Sequence, residues 1–199
     1  MKLSKRGEYA LRTLINLGIA AEVSRPLVQV SELADSEQLP VKFLEQIMQA
    51  LKEAGLVQSQ RGKFGGYRLA KPARQITIGQ VVRLIDGPLA PIGCVSQSAY
   101  EKCTCPDETH CGLRMLMLDV RNAIAGILDR YSLADVVEVT LRKMRRDNIL
   151  LPFSAEADAT GASPRLPARL ARKLARNASR PGLTEADGVL HQLLGDYTI

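Results

Sequence analysis

A helical pattern and a hairpin pattern follow each other in residues 41–70, VKFLEQIMQALKEAGLVQSQRGKFGGYRLA. In the first half, apolar residues recur every three or four positions, the period of a helix with one buried face. The inward residues are Phe43, Leu44, Ile47, Met48 and Leu51. Pro40 suits the entry to such a helix, where a missing N–H costs little, and Gly55 ends it. Residues 56–59 and 67–70 then predict two short strands, because the glycines between them supply the positive backbone angles of a tight turn.

Two further helices are predicted upstream of this stretch. Small and apolar residues between Ser4 and Ala21 recur with helical period, so one face of that segment is buried. Ser31 is a good N-cap for a short second helix that runs to about Glu37. Three helices followed by a glycine-rich hairpin have the layout of a winged helix-turn-helix. We therefore predict a mainly α fold with a small β-wing, whose winged domain occupies residues 1–75.

A loop that contains all four cysteines follows the winged domain. Thr77 and Gln80 form a capping box at the start of a helix that ends at Gly87. Residues 89–111 are rich in proline, glycine, serine and cysteine, a composition that is typical of a loop. This loop leads directly into the longest periodic element of the chain.

That element is a helix over residues 112–131, whose apolar residues alternate between spacings of four and three. The stripe consists of Leu113, Met117, Val120, Ile124, Ile127 and Tyr131. Because this is the a/d pattern of paired helices, we predict a long dimerisation helix. The alternative is a helix that is buried wholly within its own monomer. Ser132 then begins another helix to about Asn148, so residues 76–151 form the cysteine loop and dimerisation helices.

Residues 152–199 are predicted to be a C-terminal tail that is partly disordered. Residues 154–164 have the composition of a linker, and short helices are predicted over 166–176 and 184–195. The six Lys and Arg residues of the tail all lie within 165–180. A basic helical face there would add sequence-independent affinity for DNA, and the alternative is a solvated tail.

Charge and composition limit the function classes. The net charge is +6, and residues 1–75 hold 12 Lys and Arg against 7 Asp and Glu, which suits an anionic partner such as DNA. There is neither an apolar run of membrane-spanning length nor a signal-peptide pattern, so we predict a cytoplasmic protein. In a reducing compartment, cysteines are more often metal ligands or redox thiols than disulfides. With two histidines and no P-loop, nucleophile elbow or dinucleotide fingerprint, the sequence does not predict an enzyme.

The helix over residues 41–54 and the turn after it hold the candidate DNA contacts. Lys42, Glu45 and Gln46 lie off its apolar stripe, in the N-terminal half that usually meets the bases. Glu45 is suited to accept from a cytosine amino group, and Gln46 to pair with adenine. Arg61 and Lys63, at the wing tip, suit contacts with phosphate or the minor groove. The alternative is a solvated helix face and a charged turn.

The motifs of this region resemble those of a known family. Phe43-Leu44-Glu45-Gln46-Ile47, Arg61-Gly62 and Gly65-Gly66-Tyr67, at this spacing, are similar to the Rrf2 family of winged-helix regulators. The resemblance covers about residues 1–148. It implies a homodimer held by long helices and bound to an imperfect palindrome in double-stranded DNA. The residues that match DNA-contacting positions of the family are Lys42, Phe43, Glu45 and Arg61.

The four cysteines lie within 18 residues, immediately before the predicted dimerisation helix. They are Cys94, Cys103, Cys105 and Cys111. Thiolates bind zinc and iron–sulfur clusters tightly, and a short loop can wrap four of them around one centre. The spacing C-x8-C-x-C-x5-C lacks both the paired C-x2-C of common zinc sites and the spacing of ferredoxins. The residues alone leave zinc, an iron–sulfur cluster and a metal-free thiol switch open.

The family resemblance implies an iron–sulfur cluster of 2Fe–2S or 4Fe–4S type. The cysteines that match the cluster-binding positions are Cys94, Cys105 and Cys111. The fourth ligand varies within the family, and where some members have a histidine this sequence has Arg114. Other members use a carboxylate from the first helix of the other subunit, and the matching residue is Glu8. Cys103 is the alternative fourth ligand.

These observations predict a dimeric DNA-binding transcription regulator. Its operator binding is controlled by an iron–sulfur cluster that senses redox state, iron or nitric oxide. The first alternative is a cluster-free regulator of the same family, which senses through thiol oxidation or a partner protein. The second is a zinc-stabilised interaction module that does not bind DNA.

Overall fold

The computed structural model describes residues 2–62 and 64–154, and these fold into six helices and one hairpin. The helices are α1 (Lys5–Glu22), α2 (Val30–Glu37), α3 (Val41–Glu53), α4 (Ile78–Asp86), α5 (Gly112–Arg130) and α6 (Leu133–Arg146). The strands are β1 (Val57–Gln60) and β2 (Gly66–Leu69), and short 3-10 turns lie at Ala73–Gln75 and Gly93–Val95. Apart from Ser154, the predicted linker, helices and basic cluster of the tail lie outside the described residues, as does Lys63.

The two strands form an antiparallel hairpin, each shifted by one residue from its predicted bounds. The register pairs Val57 with Leu69 and Gln60 with Gly66. The hairpin is tied to the helices through Val28, whose backbone exchanges hydrogen bonds with Tyr67 at 3.0 and 2.8 Å. A Cβ on Gly66 would lie 2.6 Å from the carbonyl oxygen of Val28, so the close approach requires glycine. This predicted mainly α architecture with a small β-wing is therefore confirmed.

Local capping explains most helix starts. The Ser4 side chain accepts from the N–H of Gly7 at 3.0 Å, and Thr77 accepts from Gln80 at 3.1 Å. Ser132 and Asp135 form a full capping box at the start of α6. The predicted cap at Ser31 is wrong, because Ser31 lies inside α2.

The helix α2 begins earlier than predicted. Its N-cap is Gln29, whose backbone N–H donates to the Glu32 carboxylate at 2.9 Å. Glu32, the third residue of α2, thus accepts a hydrogen bond from the backbone N–H of the N-cap residue, and no serine is needed there.

The main hydrophobic core joins residues on both sides of residue 75. It combines the inner faces of α1, α2, α3 and the hairpin with Leu133, Val137 and Leu141 of α6. The contact between α1 and α6 is close, since a Cβ on Gly18 would lie 2.5 Å from Cγ2 of Val137. The winged domain of residues 1–75 is consequently braced by a helix that begins only at Leu133.

The helix α5 lies at the edge of this body. Its Ile124 and Leu128 pack on a second cluster around Ile78 and Val82 of α4. Arg83 clamps the two helices by donating to both carboxylate oxygens of Asp129, at 2.6 and 2.7 Å. Within the single described chain, no residue of α5 is fully buried.

The outer face of α5 is apolar and exposed. Leu113 and Ile127 are each 58% exposed, Leu116 is 57% exposed and Val120 is 37% exposed. Three of these belong to the stripe predicted from the sequence, whereas Ile124 of that stripe turns towards α4. In the described part of the chain, no helix has the length and hydropathy required to cross a membrane.

Candidate DNA-binding surface and cysteine site

The helix α3 presents a polar outer face because its inner face is locked into the core. Leu44, Ile47, Met48 and Leu51 are fully buried. The exposed polar residues are Lys42, Glu45, Gln46, Gln49, Lys52 and Glu53. Lys42, Glu45 and Gln46 therefore share one solvent-facing surface on the first two turns, as the sequence predicted.

Phe43 occupies the border between this surface and the core. Its ring packs edge-on against Tyr9 of α1, with centroids 6.0 Å apart and planes at 89°. Phe43 is partly buried against the core, so only part of it faces the solvent. The structure thus gives Phe43 a packing role in addition to the position matched by the family motif.

Tyr9 is itself surrounded by charged residues of α1. The Lys5 ammonium lies 5.9 Å from the ring centroid and the Arg12 guanidinium 5.6 Å from it, within reach of a cation–π interaction. Arg12 also pairs at 2.5 Å with Glu37 of α2, whose side chain is almost fully buried. Burial raises the pKa of Glu37 above its ordinary value, although Arg12 opposes that effect.

The wing is a tight turn with an exposed tip. Gly62 has a φ of +117°, which side-chain-bearing residues rarely adopt, and a Cβ on Gly65 would collide with the carbonyl oxygen of Gln60. Arg61 is exposed beside this turn, and Phe64 is 83% exposed. Phe64 belongs to no periodic pattern in the sequence, because it lies in a turn.

The four cysteines meet at one place. Cys94 lies in the turn Gly93–Val95 and is 5% exposed, whereas Cys103, Cys105 and Cys111 are half-buried free thiols. All four line one cavity of about 310 Å³ between the loop and the start of α5. The clustering of four soft donors matches the requirement of an iron–sulfur or zinc centre.

The thiols are close enough to perturb one another. Burial raises the pKa of Cys94, and hydrogen bonding with Cys103 raises the pKa of Cys105 to about 11. Without a metal, both groups are therefore protonated at neutral pH. A metal ion that displaces those protons would convert the group into thiolate ligands.

A carboxylate that the sequence analysis missed completes this cluster. One oxygen of Glu108 and the sulfur atoms of Cys94 and Cys103 all lie within 4.8 Å of one another. The Tyr100 hydroxyl donates to the two oxygens of Glu108 at 2.8 and 3.0 Å, which raises the pKa of Tyr100. Arg114 lies 3.2 Å from the same carboxylate. In the sequence, the signal for Glu108 is its position three residues before Cys111. A loop has no periodic pattern that would indicate which of its side chains meet.

Glu8 lies elsewhere in the described chain, on the first turn of α1. Its carboxylate is 2.7 Å from Lys5 and 3.6 Å from Arg12. The hydrogen bond from Lys5 holds the pKa of Glu8 below its ordinary value. Glu8 is outside the group formed by Cys94, Cys103 and Glu108.

His110 faces the solvent beside the cysteine cluster. Its ring is 82% exposed and bonds to Asp107 at 2.6 Å. It is a solvated loop residue in this structure.

Comparison with known proteins identifies the family. The sequence profile of the Rrf2 family, described as iron-dependent transcriptional regulators, matches residues 3–139. The chain belongs to the Rrf2 family. A putative rrf2-like HTH-type transcriptional regulator of Rhodobacter capsulatus is 37% identical over 137 residues, 68% of this chain and 91% of that protein. Rrf2-family proteins are transcriptional regulators, so the expectation that this chain is not an enzyme is confirmed.

Two named Rrf2-type regulators are also similar. The HTH-type regulator CymR of Bacillus subtilis is 31% identical over 140 residues, 70% of this chain and 92% of that protein. The HTH-type regulator IscR of Vibrio atlanticus is 28% identical over 158 residues, 79% of this chain and 83% of that protein.

Solved structures support the same fold. CymR, the global cysteine regulator of B. subtilis, superposes with a TM-score of 0.58 at 29% identity, over 69% of this chain and 97% of that one. The IscR of T. potens superposes with a TM-score of 0.54 at 25% identity, over 69% of this chain and 87% of that one. The DNA-binding helix-turn-helix regulator predicted from the sequence is thus the right class of protein.

Proposed function

We propose that this Rrf2-family regulator binds its operator as a homodimer under the control of an iron–sulfur cluster held by the cysteine loop. The observation that supports this proposal is that four thiols line one cavity at the N-terminal end of α5, beside the exposed apolar face of that helix. A group bound there would connect the loop to the helix that we assign to dimerisation. Occupancy of the loop would then affect how two protomers are held.

The donor set fits such a cluster. Cys94, Cys105 and Cys111 are the proposed ligands, with either Glu8 of the other protomer or Cys103 in the fourth position. When bound, a cluster supplies iron chemistry that responds to redox state, iron supply or nitric oxide. The chain itself provides the buried Cys94 thiol and the half-buried thiols of Cys103, Cys105 and Cys111.

The exposed face of α5 supports dimerisation. Leu113, Leu116, Val120 and Ile127 follow one another at spacings of three, four and seven residues and form an exposed apolar ridge on the single chain. A second copy of the same ridge would bury these side chains in a self-complementary interface. The dimer would present two α3 helices to the half-sites of an imperfect palindrome.

The proposed DNA contacts lie on the outer face of α3 and at the wing. Lys42, Glu45 and Gln46 would read base edges in the major groove, while Arg61 and Lys63 grip phosphate or the minor groove. All three residues of α3 are exposed on one face, and Arg61 is exposed beside the wing turn. An excess of positive charge in residues 1–75 favours the approach of DNA.

A contact path gives control of DNA binding a physical basis. Glu8 pairs with Lys5 and Arg12, both of which lie over the ring of Tyr9. Tyr9 packs in turn on Phe43 of α3. If Glu8 is a cluster ligand of the partner protomer, a change at that cluster moves α1. The movement of α1 then shifts the N-terminal turn of α3, which carries Phe43. Because specific binding needs half-sites at a fixed separation, small shifts alter affinity.

A second candidate is a cluster-free regulator that senses through thiol oxidation. The proximity of the Cys94 and Cys103 sulfur atoms favours it, since both lie within the 4.8 Å group. In that case oxidation, and not cluster loss, would change the cysteine loop. Chemical analysis of the purified protein separates the two candidates.

The test is anaerobic purification followed by visible spectroscopy, iron and acid-labile sulfide analysis, and operator gel shifts with and without the cluster. We expect a coloured protein with iron and sulfide, whose operator affinity changes when the cluster is removed. A colourless protein without sulfide, whose affinity responds to oxidation of its thiols, would favour the second candidate. If operator affinity is the same with and without the cluster and with reduced and oxidised thiols, both candidate functions are contradicted.

A further inference from the structure

We infer that the cysteine loop can also bind one zinc-type divalent cation, at a site formed by Cys94, Cys103 and Glu108 of a single protomer. This site goes beyond the proposed cluster, because Glu108 is not a proposed cluster ligand and Cys103 is only the alternative to Glu8 in the fourth position of the cluster. It shares Cys94 with that cluster. Cation and cluster would therefore be alternative occupants of the loop.

The spacing of the donor atoms suits one small ion. In a tetrahedral zinc site with bonds of about 2.3 Å to sulfur, neighbouring ligand atoms lie about 3.7 Å apart. The sulfur atoms of Cys94 and Cys103 and an oxygen of Glu108 already lie within 4.8 Å of one another. Contraction by about an ångström at most would bring all three to one ion, with Cys105 or water in the fourth position.

The carboxylate is oriented by neighbouring side chains, as metal ligands commonly are. Tyr100 donates its hydroxyl hydrogen to Glu108, and Arg114 lies 3.2 Å from one oxygen of the same group. These contacts fix the side chain beside the thiols before any ion arrives. Because two thiolates and one carboxylate outweigh the charge of a divalent cation, the guanidinium of Arg114 would also balance the surplus negative charge.

The donor chemistry favours zinc over magnesium or calcium. Thiolates are soft ligands that zinc accepts readily, whereas magnesium and calcium require sets made wholly of oxygen. Cys94 is 5% exposed, so one ligand is shielded from solvent, and Glu108 is half-buried. The ion would tie the turn Gly93–Val95 to the loop just before α5.

The test titrates the full-length protein, freed of metal by a chelator under anaerobic reducing conditions, with Zn²⁺ and with Co²⁺. Cobalt bound to thiolates in tetrahedral geometry gives a visible spectrum, which reports the site without any assay of DNA binding. We expect one equivalent to bind, and Glu108→Gln to weaken affinity by about tenfold or more. The matched control is Asp107→Asn, which changes the adjacent carboxylate that bonds to His110.

Two cysteine variants separate this inference from the cluster proposal. Cys103→Ser should abolish the cobalt spectrum, whereas Cys111→Ser should leave it intact although Cys111 is a proposed cluster ligand. Equal cation affinity of Glu108→Gln and Asp107→Asn would overturn the inference, as would equal damage from Cys103→Ser and Cys111→Ser. Failure of the wild-type protein to assemble a cluster would instead contradict the proposed function and leave the cation titration unaffected. Thermal melts of each metal-free variant verify that it is folded.

Discussion

The ring of Tyr9 on α1 meets the ring of Phe43 on α3 edge to face, with centroids 6.0 Å apart. This contact joins the helix that carries Glu8 to the helix that carries the proposed base-reading residues. Aromatic pairs of this geometry contribute about 0.5–1.5 kcal/mol beyond the area that they bury. The pair therefore couples α1 to the first turn of α3, whose inner face is held by the buried core.

A double-mutant cycle measures this contact. Tyr9→Leu and Phe43→Leu should each lower the free energy of unfolding, and the double variant should lose less than the sum. The expected coupling is about 0.5–1.5 kcal/mol, measured by urea unfolding of the three variants and the wild type. Phe64→Leu is the size-matched comparison, because Phe64 is 83% exposed and its replacement should change stability little. Additive losses would show that the two rings act independently.

The strongly periodic helices were predictable from the sequence. The bounds of α1, α3 and α5 agree with their predictions to within one residue, because burial of one face imposes a repeat that composition reveals. The start of α2 was not predictable in the same way. Ser31 and Gln29 both have side chains that can cap a helix. Gln29 is the N-cap because its backbone is extended, whereas the backbone is helical from Val30 onwards.

Contacts between distant segments were harder to predict. The sequence shows Gly18 as one small residue on an apolar face, but not that Val137 of α6 packs against it. Glu108 was missed for a related reason, since the path of the cysteine loop brings it to Cys94 and Cys103 without any periodic pattern. Periodicity identifies buried faces, whereas the partners of those faces depend on tertiary packing.

The proposed DNA-binding surface predicts two different effects on operator affinity. Lys42→Ala should weaken operator binding by about 1–3 kcal/mol and relax sequence preference if Lys42 reads a base. Arg61→Ala should weaken all sequences alike and reduce the salt dependence by about one unit of slope, as expected for a phosphate contact. Both side chains are exposed, so stability should barely change.

Gel-shift titrations at several stated salt concentrations check both effects. The control is Lys52→Ala, which removes an exposed lysine from the C-terminal end of the same helix. If Lys52→Ala weakens binding as much as Lys42→Ala, the N-terminal half of α3 is not the part that reads bases.

The exposed ridge of α5 predicts the oligomeric state. Leu116→Glu places a charge on the proposed interface, so sedimentation equilibrium should show a monomer at concentrations where the wild type is a dimer. Operator affinity should fall by about a hundredfold, because each protomer then binds its half-site alone. The matched control is Asn122→Glu, at an exposed polar position of the same helix. A dimer that persists in Leu116→Glu would exclude this face as the interface.

Alanine variants of Glu8 and Cys103 show which of the two residues is the fourth ligand of the proposed cluster. Glu8→Ala should perturb the visible spectrum of the reconstituted cluster, while Cys103→Ala should be nearly silent, if the carboxylate of the other protomer completes the site. In the described chain Glu8 is held by Lys5 at 2.7 Å, so ligation requires it to leave an exposed ion pair that contributes little stability. Replacement of any of the three assigned cysteines, Cys94, Cys105 and Cys111, should abolish or severely destabilise the cluster.

Anaerobic reconstitution of each variant, with iron and sulfide analysis, decides between the two ligands. Glu22→Ala, at the other end of α1, is the control for loss of an exposed acid from that helix. If Cys103→Ala perturbs the spectrum and Glu8→Ala does not, the cluster is closed within one protomer, and the path from Glu8 through Tyr9 to Phe43 cannot carry its signal. If Glu8 is the ligand, a Leu116→Glu monomer should also fail to assemble a normal cluster, because the carboxylate comes from the partner. Spectroscopy of that monomer thus tests the dimer and the ligand together, without reference to DNA.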